Sequence, residues 1–370
     1  MSREGAAAVA GVAVELTTAD RTRSLPELIF SCVSAALADA GCVMADVEAV
    51  TCACEDLIDG RGLSNMITGP AAGAYLRDET RLSEDGLAAL SLAAAQIESG
   101  TFDRVLVAAW GRAAEGDPDR ISAQGYDPFT AQPLGLGDMA VSALRASAYL
   151  RRHGGPAARH RADRDRAVAA RQERAKRNPR ANRLPGRSPS VPYPLRPADL
   201  RVESDAVAAV VLRRAAGPGP AGLVRITGIG HATESFHLGD RLLSGLPSAR
   251  AAARHALTQA GRGLGAVDVV EVSGRTVWDE AQMVESIGLA SPGEGFAALA
   301  TDARLNPSGG SAAGDCEPAS GLVRFAEAAL QLAGRAGGVQ LAGMPRVALV
   351  VSGAALAGQT HTAVVAEHER

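Results

Sequence analysis

The sequence predicts an α/β protein built from two like halves, and three observations predict it. Helical segments alternate with short, wholly apolar strands along the chain, the pattern of βα units around buried sheets. "ALADAGCVMADVEAV" at Ala36 and "ALTQAGRGLGAVDVVEV" at Ala256 both read as a helix, an Ala-Gly stop, an Asp and an apolar strand. "GLAALSLAAAQI" at Gly86 and "GLVRFAEAALQL" at Gly321 recur in the same order, each leading to a strand, "RVLVAAWG" at Arg104 and "RVALVVSG" at Arg346. Ordered recurrence of four elements points to duplication rather than to coincidence among alanine-rich helices.

In chain order, "GAAAVAGVAVELTT" reads as the first strand, since Glu15 and the lack of a polar cleavage region argue against a signal peptide. The first helix-to-strand unit, the Gly86 helix and the Arg104 strand follow. Residues 112–200, rich in Pro, Gly and Arg, have no counterpart in the second half. They are expected to be an insertion lying over the first half, containing the helix "GDMAVSALRASAYLRRHG" and an arginine-rich segment. "AVAAVVL" closes the first half, and Gly217-Pro218-Gly219-Pro220 breaks the chain before the strand "GLVRITGIG". The expected domains are therefore 1–216 and 217–370. The second half ends on an amphipathic Gly321 helix, the Arg346 strand and a last strand in "GQTHTAVVAE".

Hydrophobic residues make up 46% of the 370 but aromatics only 3%, so Ala, Val and Leu must pack the interior. No uncharged run of 18 apolar residues exists, so no transmembrane helix is expected, and the chain reads as cytoplasmic. Five cysteines are an odd number at spacings that suit neither a disulfide framework nor a zinc site; Cys52 and Cys54 read as small core residues, and no metal is expected. Residues 151–200 hold 14 Arg/Lys against 4 Asp/Glu in a chain of net charge −3. With no aromatics between the arginines and acids breaking the run, a solvated helix is expected rather than a nucleic-acid surface; a phosphate-bearing small ligand is the functional alternative.

Asn306-Pro307-Ser308-Gly309-Gly310 before the last long helix, "KRNPRA" with "PYPLRPADL" and "SDAVAAVVL", and "ESIGL" followed by Gly293-Glu294-Gly295 carry a resemblance. With the duplication, these segments resemble the thiolase superfamily, and in particular its lipid-transfer-protein-like (SCP2-type) thiolases, over nearly the whole chain. The resemblance implies the thiolase fold: duplicated βαβαβαββ halves in a layered αβαβα arrangement, with a loop insertion in the first half. "YDPFTAQPLGLGDMAVSALRASAYLRRHG" resembles a subgroup that works beside a small zinc-ribbon/OB-fold (DUF35-type) protein. That implies acyl-CoA as substrate, a partner of that type, a possible ketosynthase-like subunit, and a homodimeric or hetero-oligomeric assembly.

The family uses a cysteine nucleophile at a helix start, where helix end and base lower the thiol pKa. Here the matching Cys-x-x-Gly falls on "SEDG", which puts Ser83 at the nucleophile position. The histidine-bearing strand end falls on Ser273, the Gly-His-Pro triplet on Gly314-Asp315-Cys316, and the position after the Arg346 strand on Ser352. By resemblance the candidate catalytic residues are thus Ser83, Ser273, Asp315, Cys316 and Ser352. Serine is un-ionised at neutral pH and needs a base, a role open to Asp315, while Glu84 and Asp85 suit capping of the helix start. Gly309, Gly310 and Gly353 are expected to offer backbone N–H groups to a thioester oxygen, and His231 is the further candidate for binding. His237 and His361 read as structural.

Three functions follow as alternatives: a thiolase-type acyltransferase subunit making or breaking a C–C bond on an acyl-CoA, with no covalently bound cofactor; a non-catalytic scaffold subunit of a ketosynthase-like complex; or an aldolase on a CoA thioester. The four tyrosines, all in the first half, weigh against the tyrosine-dependent aldolases of the partnered subgroup.

Overall fold

A computed structural model describes residues 6–18, 22–56, 65–112, 118–153, 157–182, 191–215, 223–354 and 357–369. The boundary expected at 216/217 lies outside them. In the first half, β1 (Ala7–Thr17) leads to α1 (Leu25–Asp39), β2 (Ala49–Ala53), α2 (Asn65–Ala71), β3 (Asp78–Leu82), α3 (Gly86–Glu98) and β4 (Arg104–Arg112). The insertion holds α4 (Pro118–Gly125), α5 (Asp138–His153) and α6 (Ala157–Arg177) before β5 (Asp205–Arg214). The second half runs β6 (Val224–Thr233), α7 (Pro247–Ala260), β7 (Val269–Val272), α8 (Val277–Ser286), α9 (Gly295–Thr301), α10 (Ser320–Leu332), β8 (Val347–Ala354) and β9 (Thr360–His368).

The nine strands pair in the order β3-β2-β4-β5-β1-β6-β9-β8-β7. Reading outward from the β1/β6 junction, both halves repeat one pattern: antiparallel, antiparallel, then a parallel pair. The duplicated segments occupy matching places, α1 and β2 answering α7 and β7, and α3 and β4 answering α10 and β8. Where β3 flanks β2, the second half has an isolated parallel bridge between Val270 and Leu305. The halves join through two antiparallel pairs, Ala8 with Arg225 and Val9 with Val224.

Local sequence explains the ends of these elements. Ser24 and Glu27 form a reciprocal capping box at the start of α1, with Glu27 Oε2 accepting the Ser24 N–H at 2.6 Å. Gly261 takes the left-handed conformation that stops α7 (φ 65°). β4 and β5 are all but continuous runs of Val, Ala and Leu because both faces are covered. α3 and α10 form the central layer, and one large apolar cluster joins Leu87, Leu90 and Ile97 of α3 to Leu322, Phe325 and Leu332 of α10. α1 covers the outer face of the first half and α7 that of the second.

Three expectations are corrected. The insertion lies over the second half: Tyr149 of α5 and Ala167 and Val168 of α6 pack in one apolar cluster with Trp278 and Phe296. The arginine-rich helix is half buried, not a solvated surface, because its arginines donate to backbone carbonyls of the second half and of the insertion's own C-terminal end. Arg174 donates to the carbonyls of Leu299 (3.1 Å), Leu305 (2.8 Å) and Asp302 (3.3 Å), and Arg171 to those of Ala198 (2.9 Å) and Leu200 (2.8 Å). Finally, α10 is buried on every side, its polar stripe included. Arg324 donates to Ser308 Oγ at 2.8 Å beside Glu271, and Glu327 accepts from Asn178 (3.0 Å) and Arg180 (2.8 Å) at the end of the insertion. Arg324, Glu327 and Gln331 are tolerated there because each finds a partner.

Candidate active site

The N-terminal ends of α3 and α10 meet at the C-terminal ends of β4 and β8, the place where open α/β sheets gather functional groups. Asp85 is the N-cap of α3 and binds both helices. Its Oδ1 accepts the Leu87 N–H at 2.9 Å and its Oδ2 accepts the Gly321 N–H at 2.9 Å. Gly321 is required here, because a Cβ on it would lie 1.8 Å from Asp85 Oδ1. Asp85 also bonds Ser352, whose Oγ lies 2.7 Å from Ser273 Oγ; the Gly353 N–H donates to Ser273 Oγ at 3.3 Å. Burial drives the Asp85 carboxyl up to about 7.

Above this floor lies a cavity of about 50 Å³, room for a few waters or one small functional group. Ser273, Asp315, Ser320, Gly353 and His361 line it, together with a rim of ion pairs. In that rim Arg275 pairs with Asp138 (2.6 Å) and Glu317, Tyr126 donates to Asp138 at 2.7 Å, and Arg145 lies 3.9 Å from Asp279. Asp315 stands apart. It is 1% exposed, and its Oδ1 has no hydrogen-bond partner among the described residues. Ser320 Oγ, at the first residue of α10, is likewise buried and unpartnered. A bare carboxylate oxygen and a free hydroxyl at a helix N-terminus are costly to bury, and such groups persist at sites that bind or react.

His361 completes the cavity wall from β9. It is buried, and its Nδ1 lies 2.7 Å from Ser248 Oγ, which lies 2.6 Å from Glu234 Oε1. Nε2 packs against Gly353, where an added Cβ would stand 3.0 Å from it. Burial, reinforced by Arg145 and Arg241, pushes the imidazole down to about 3, so the ring is neutral around pH 7.

The structure unites some of the sequence candidates and separates others. Ser273 and Asp315 line the cavity, and Ser352 sits directly behind Ser273. Ser83 does not reach it: helix α3 begins three residues later, with Asp85 as its N-cap, so Ser83 is exposed while Asp85 points inward. Cys316 faces away, into the central apolar cluster and against Gly111 of β4, and burial pushes its thiol far above the ordinary range. Gly309 and Gly310 do not offer their N–H groups either. Gly309 donates to Asn306 O at 2.9 Å and Gly310 to Ser308 Oγ at 3.2 Å, beneath Ala175 of α6. His231 is exposed on β6, bonded to Thr362 Oγ1 at 3.0 Å.

Asp85 caps the helix start as the sequence suggests, whereas His361, read as structural, lines the cavity, and Ser320 has no place among the sequence candidates. In the "SED" run before Gly86, Ser and Asp are equally good caps, so the sequence alone does not choose between Ser83 and Asp85. Nothing local distinguishes His361 from a core histidine.

Two further clefts are present. One of about 170 Å³, lined in part by Tyr126, Leu136 and Phe236, is separated from the cavity by the Tyr126–Asp138 hydrogen bond. Another of about 470 Å³ lies at the far, C-terminal end of α10, away from these groups. Among the described residues, no cluster of His, Cys, Asp or Glu is arranged to hold a metal ion, and no helix is long and apolar enough to cross a membrane.

Residues 228–367 match the family described as "Thiolase C-terminal domain-like". No curated protein matches the chain. Among solved structures, the chain is similar to "Ltp2-ChsH2(DUF35) aldolase" at 20% identity and a TM-score of 0.80, over 99% of each chain. It is also similar to a monomeric SCP2-thiolase like protein type 1 from Mycobacterium smegmatis, at 18% identity and a TM-score of 0.74, over 100% of this chain and 78% of that one.

Proposed function

From a chain with the thiolase fold, whose second half matches the thiolase C-terminal family, we propose an enzyme that breaks or makes a C–C bond beside a thioester by proton transfer alone. The observation that carries this reading is the cavity itself: a bare buried carboxylate, Asp315, and a neutral imidazole, His361, with no thiol among its described lining residues. Covalent acyl transfer on the family's pattern needs a thiol, which the described lining lacks, and Ser83 lies outside the cavity.

In the cleavage direction the substrate is a 3-hydroxyacyl thioester, with coenzyme A as the expected thiol. Asp315 Oδ1 takes the C3 hydroxyl proton, the C3–O bond becomes a carbonyl, and the C2–C3 pair moves into the thioester as an enolate. The Ser320 hydroxyl, at the positive end of α10, is placed to donate to the enolate oxygen. Asp315 then returns its proton to C2, leaving a shortened acyl thioester and an aldehyde or ketone. This is retro-aldol chemistry. Tyr126, although in the first half, is brought to the cavity rim by the insertion, which removes the objection drawn from the tyrosines' position.

The free volume of about 50 Å³ accommodates the reacting carbons but not a CoA arm, which favours assembly with a partner that carries the rest of the ligand. The name of the similar aldolase complex suggests a DUF35-type protein as that partner. The same small volume is what a scaffold subunit would show.

The test is turnover of 3-hydroxyacyl-CoA by the chain with a DUF35-type partner, read as release of aldehyde or ketone, alongside intact mass after incubation with acetyl-CoA. Cleavage without an adduct is expected. An acyl adduct would replace this reading with covalent transfer, and no turnover, with no effect of Asp315→Ala on the complex, would leave the scaffold reading.

A further inference from the structure

We infer that Glu234 and Ser248 act as positioning residues that hold His361 in the Nδ1–H tautomer, leaving the Nε2 lone pair as a fixed acceptor on the cavity wall.

Ser248 Oγ lies 2.6 Å from Glu234 Oε1 and 2.7 Å from His361 Nδ1, both short enough to require a proton between the atoms. A serine hydroxyl has one proton to give. A carboxylate can only accept, so the hydroxyl proton goes to Glu234. Ser248 Oγ must then accept, and the proton between it and the ring belongs to Nδ1. Neutral imidazole carries a single N–H, which leaves Nε2 bare.

The fold builds this chain from three elements. Ser248 is the second residue of α7, and its backbone N–H also donates to Glu234 Oε1 at 3.2 Å, so Glu234 caps a helix that has no capping side chain of its own. Glu234 follows β6 and is tied to the start of β9 through Gln359, whose carbonyl accepts the Glu234 N–H at 2.9 Å. His361 is the second residue of β9. The charged and titratable groups facing the ring are Arg145 of α5, Arg241 of the loop before α7, His231 of β6 and Glu234. Both arginines oppose a proton on Nε2.

A consequence for ligand choice follows, and this part rests on the reaction proposed above. With Asp315 Oδ1 and His361 Nε2 both accepting, the cavity receives a hydroxyl and repels the lone pairs of a ketone at the same carbon.

The test uses the full chain labelled with ¹⁵N-histidine, the His361 signal being assigned by its loss in His361→Gln. A protonated Nδ1 and an unprotonated Nε2 near pH 7 are expected, with mixed tautomers in Ser248→Ala and recovery in Ser248→Thr. An Nε2–H in the wild type, or a tautomer indifferent to Ser248→Ala, overturns the inference whatever the activity. In the second arm, run on the chain with its DUF35-type partner, 3-hydroxybutyryl-CoA should bind about tenfold tighter than acetoacetyl-CoA, a preference lost in Ser248→Ala. If the tautomer stands and the preference is absent, the proposed reaction fails and the positioning role remains.

Discussion

Asp85 Oδ2 accepts the backbone N–H of Gly321 at 2.9 Å, so a carboxylate of the first half caps the central helix of the second. The same side chain caps its own helix through the Leu87 N–H. This contact joins the halves at the floor of the cavity, and it is made by a buried acid whose proton is held up to about 7.

A buried acid with a raised pKa stabilises the fold fully when protonated, below its ordinary value of 3.8, and loses that contribution as pH rises through about 7. Asp85→Asn removes this dependence. The stability of the variant relative to wild type should grow by on the order of 3 kcal/mol between pH 4 and pH 8. Urea denaturation at the two pH values measures it. Glu271, also driven up to about 7 by burial, is present in both chains and cancels in the difference.

Asp315→Asn is expected to separate stability from activity. Replacing a buried carboxylate whose Oδ1 lacks a hydrogen-bond partner by an amide should stabilise the chain by about 1–3 kcal/mol. Turnover in the partnered complex should fall about 10²–10⁴-fold with little change in KM. Denaturation midpoints and steady-state kinetics read the two effects independently.

Cys316 packs in the core, and its substitution should behave accordingly. Cys316→Ala is expected to cost about 1 kcal/mol and to leave turnover within about twofold. In the native chain, iodoacetamide should modify the half-exposed Cys42 well before Cys316, as read by peptide mass mapping.

The arginines of α6 divide by burial. Arg174→Met leaves three backbone carbonyls, of Leu299, Asp302 and Leu305, without their donor and should destabilise by about 3–5 kcal/mol in thermal or chemical denaturation. Arg166→Ala, at a side chain 66% exposed that pairs with Asp163, should cost no more than about 1 kcal/mol.

Much of the architecture is written in short-range pattern. Runs such as Val105–Ala109 and Ala206–Leu212 are apolar at every position because both of their faces are covered, and a buried strand is recognisable from that alone. The duplication is visible because each half must rebuild the same helix stops and strands. The insertion is visible as a stretch of different composition, but not the half it covers: arginines in series look solvated until Leu299, Asp302 and Leu305 place their carbonyls against Arg174.

What the sequence by itself determined was the α/β class and the repeat of its elements, since each depends on residues within one helix or strand of one another. Only the tertiary structure decided which polar groups share the cavity. Helix α3 begins at Gly86, so Asp85 turns inward and Ser83 outward, a distinction of two residues that no pattern marks. Asp315 and Cys316 are adjacent, yet one faces the cavity and the other the core, because consecutive side chains in the extended backbone before α10 point to opposite sides. His361 acquires its role from Ser248, 113 residues away. Convergence of that kind is a property of packing over long separations, and local propensity carries no record of it.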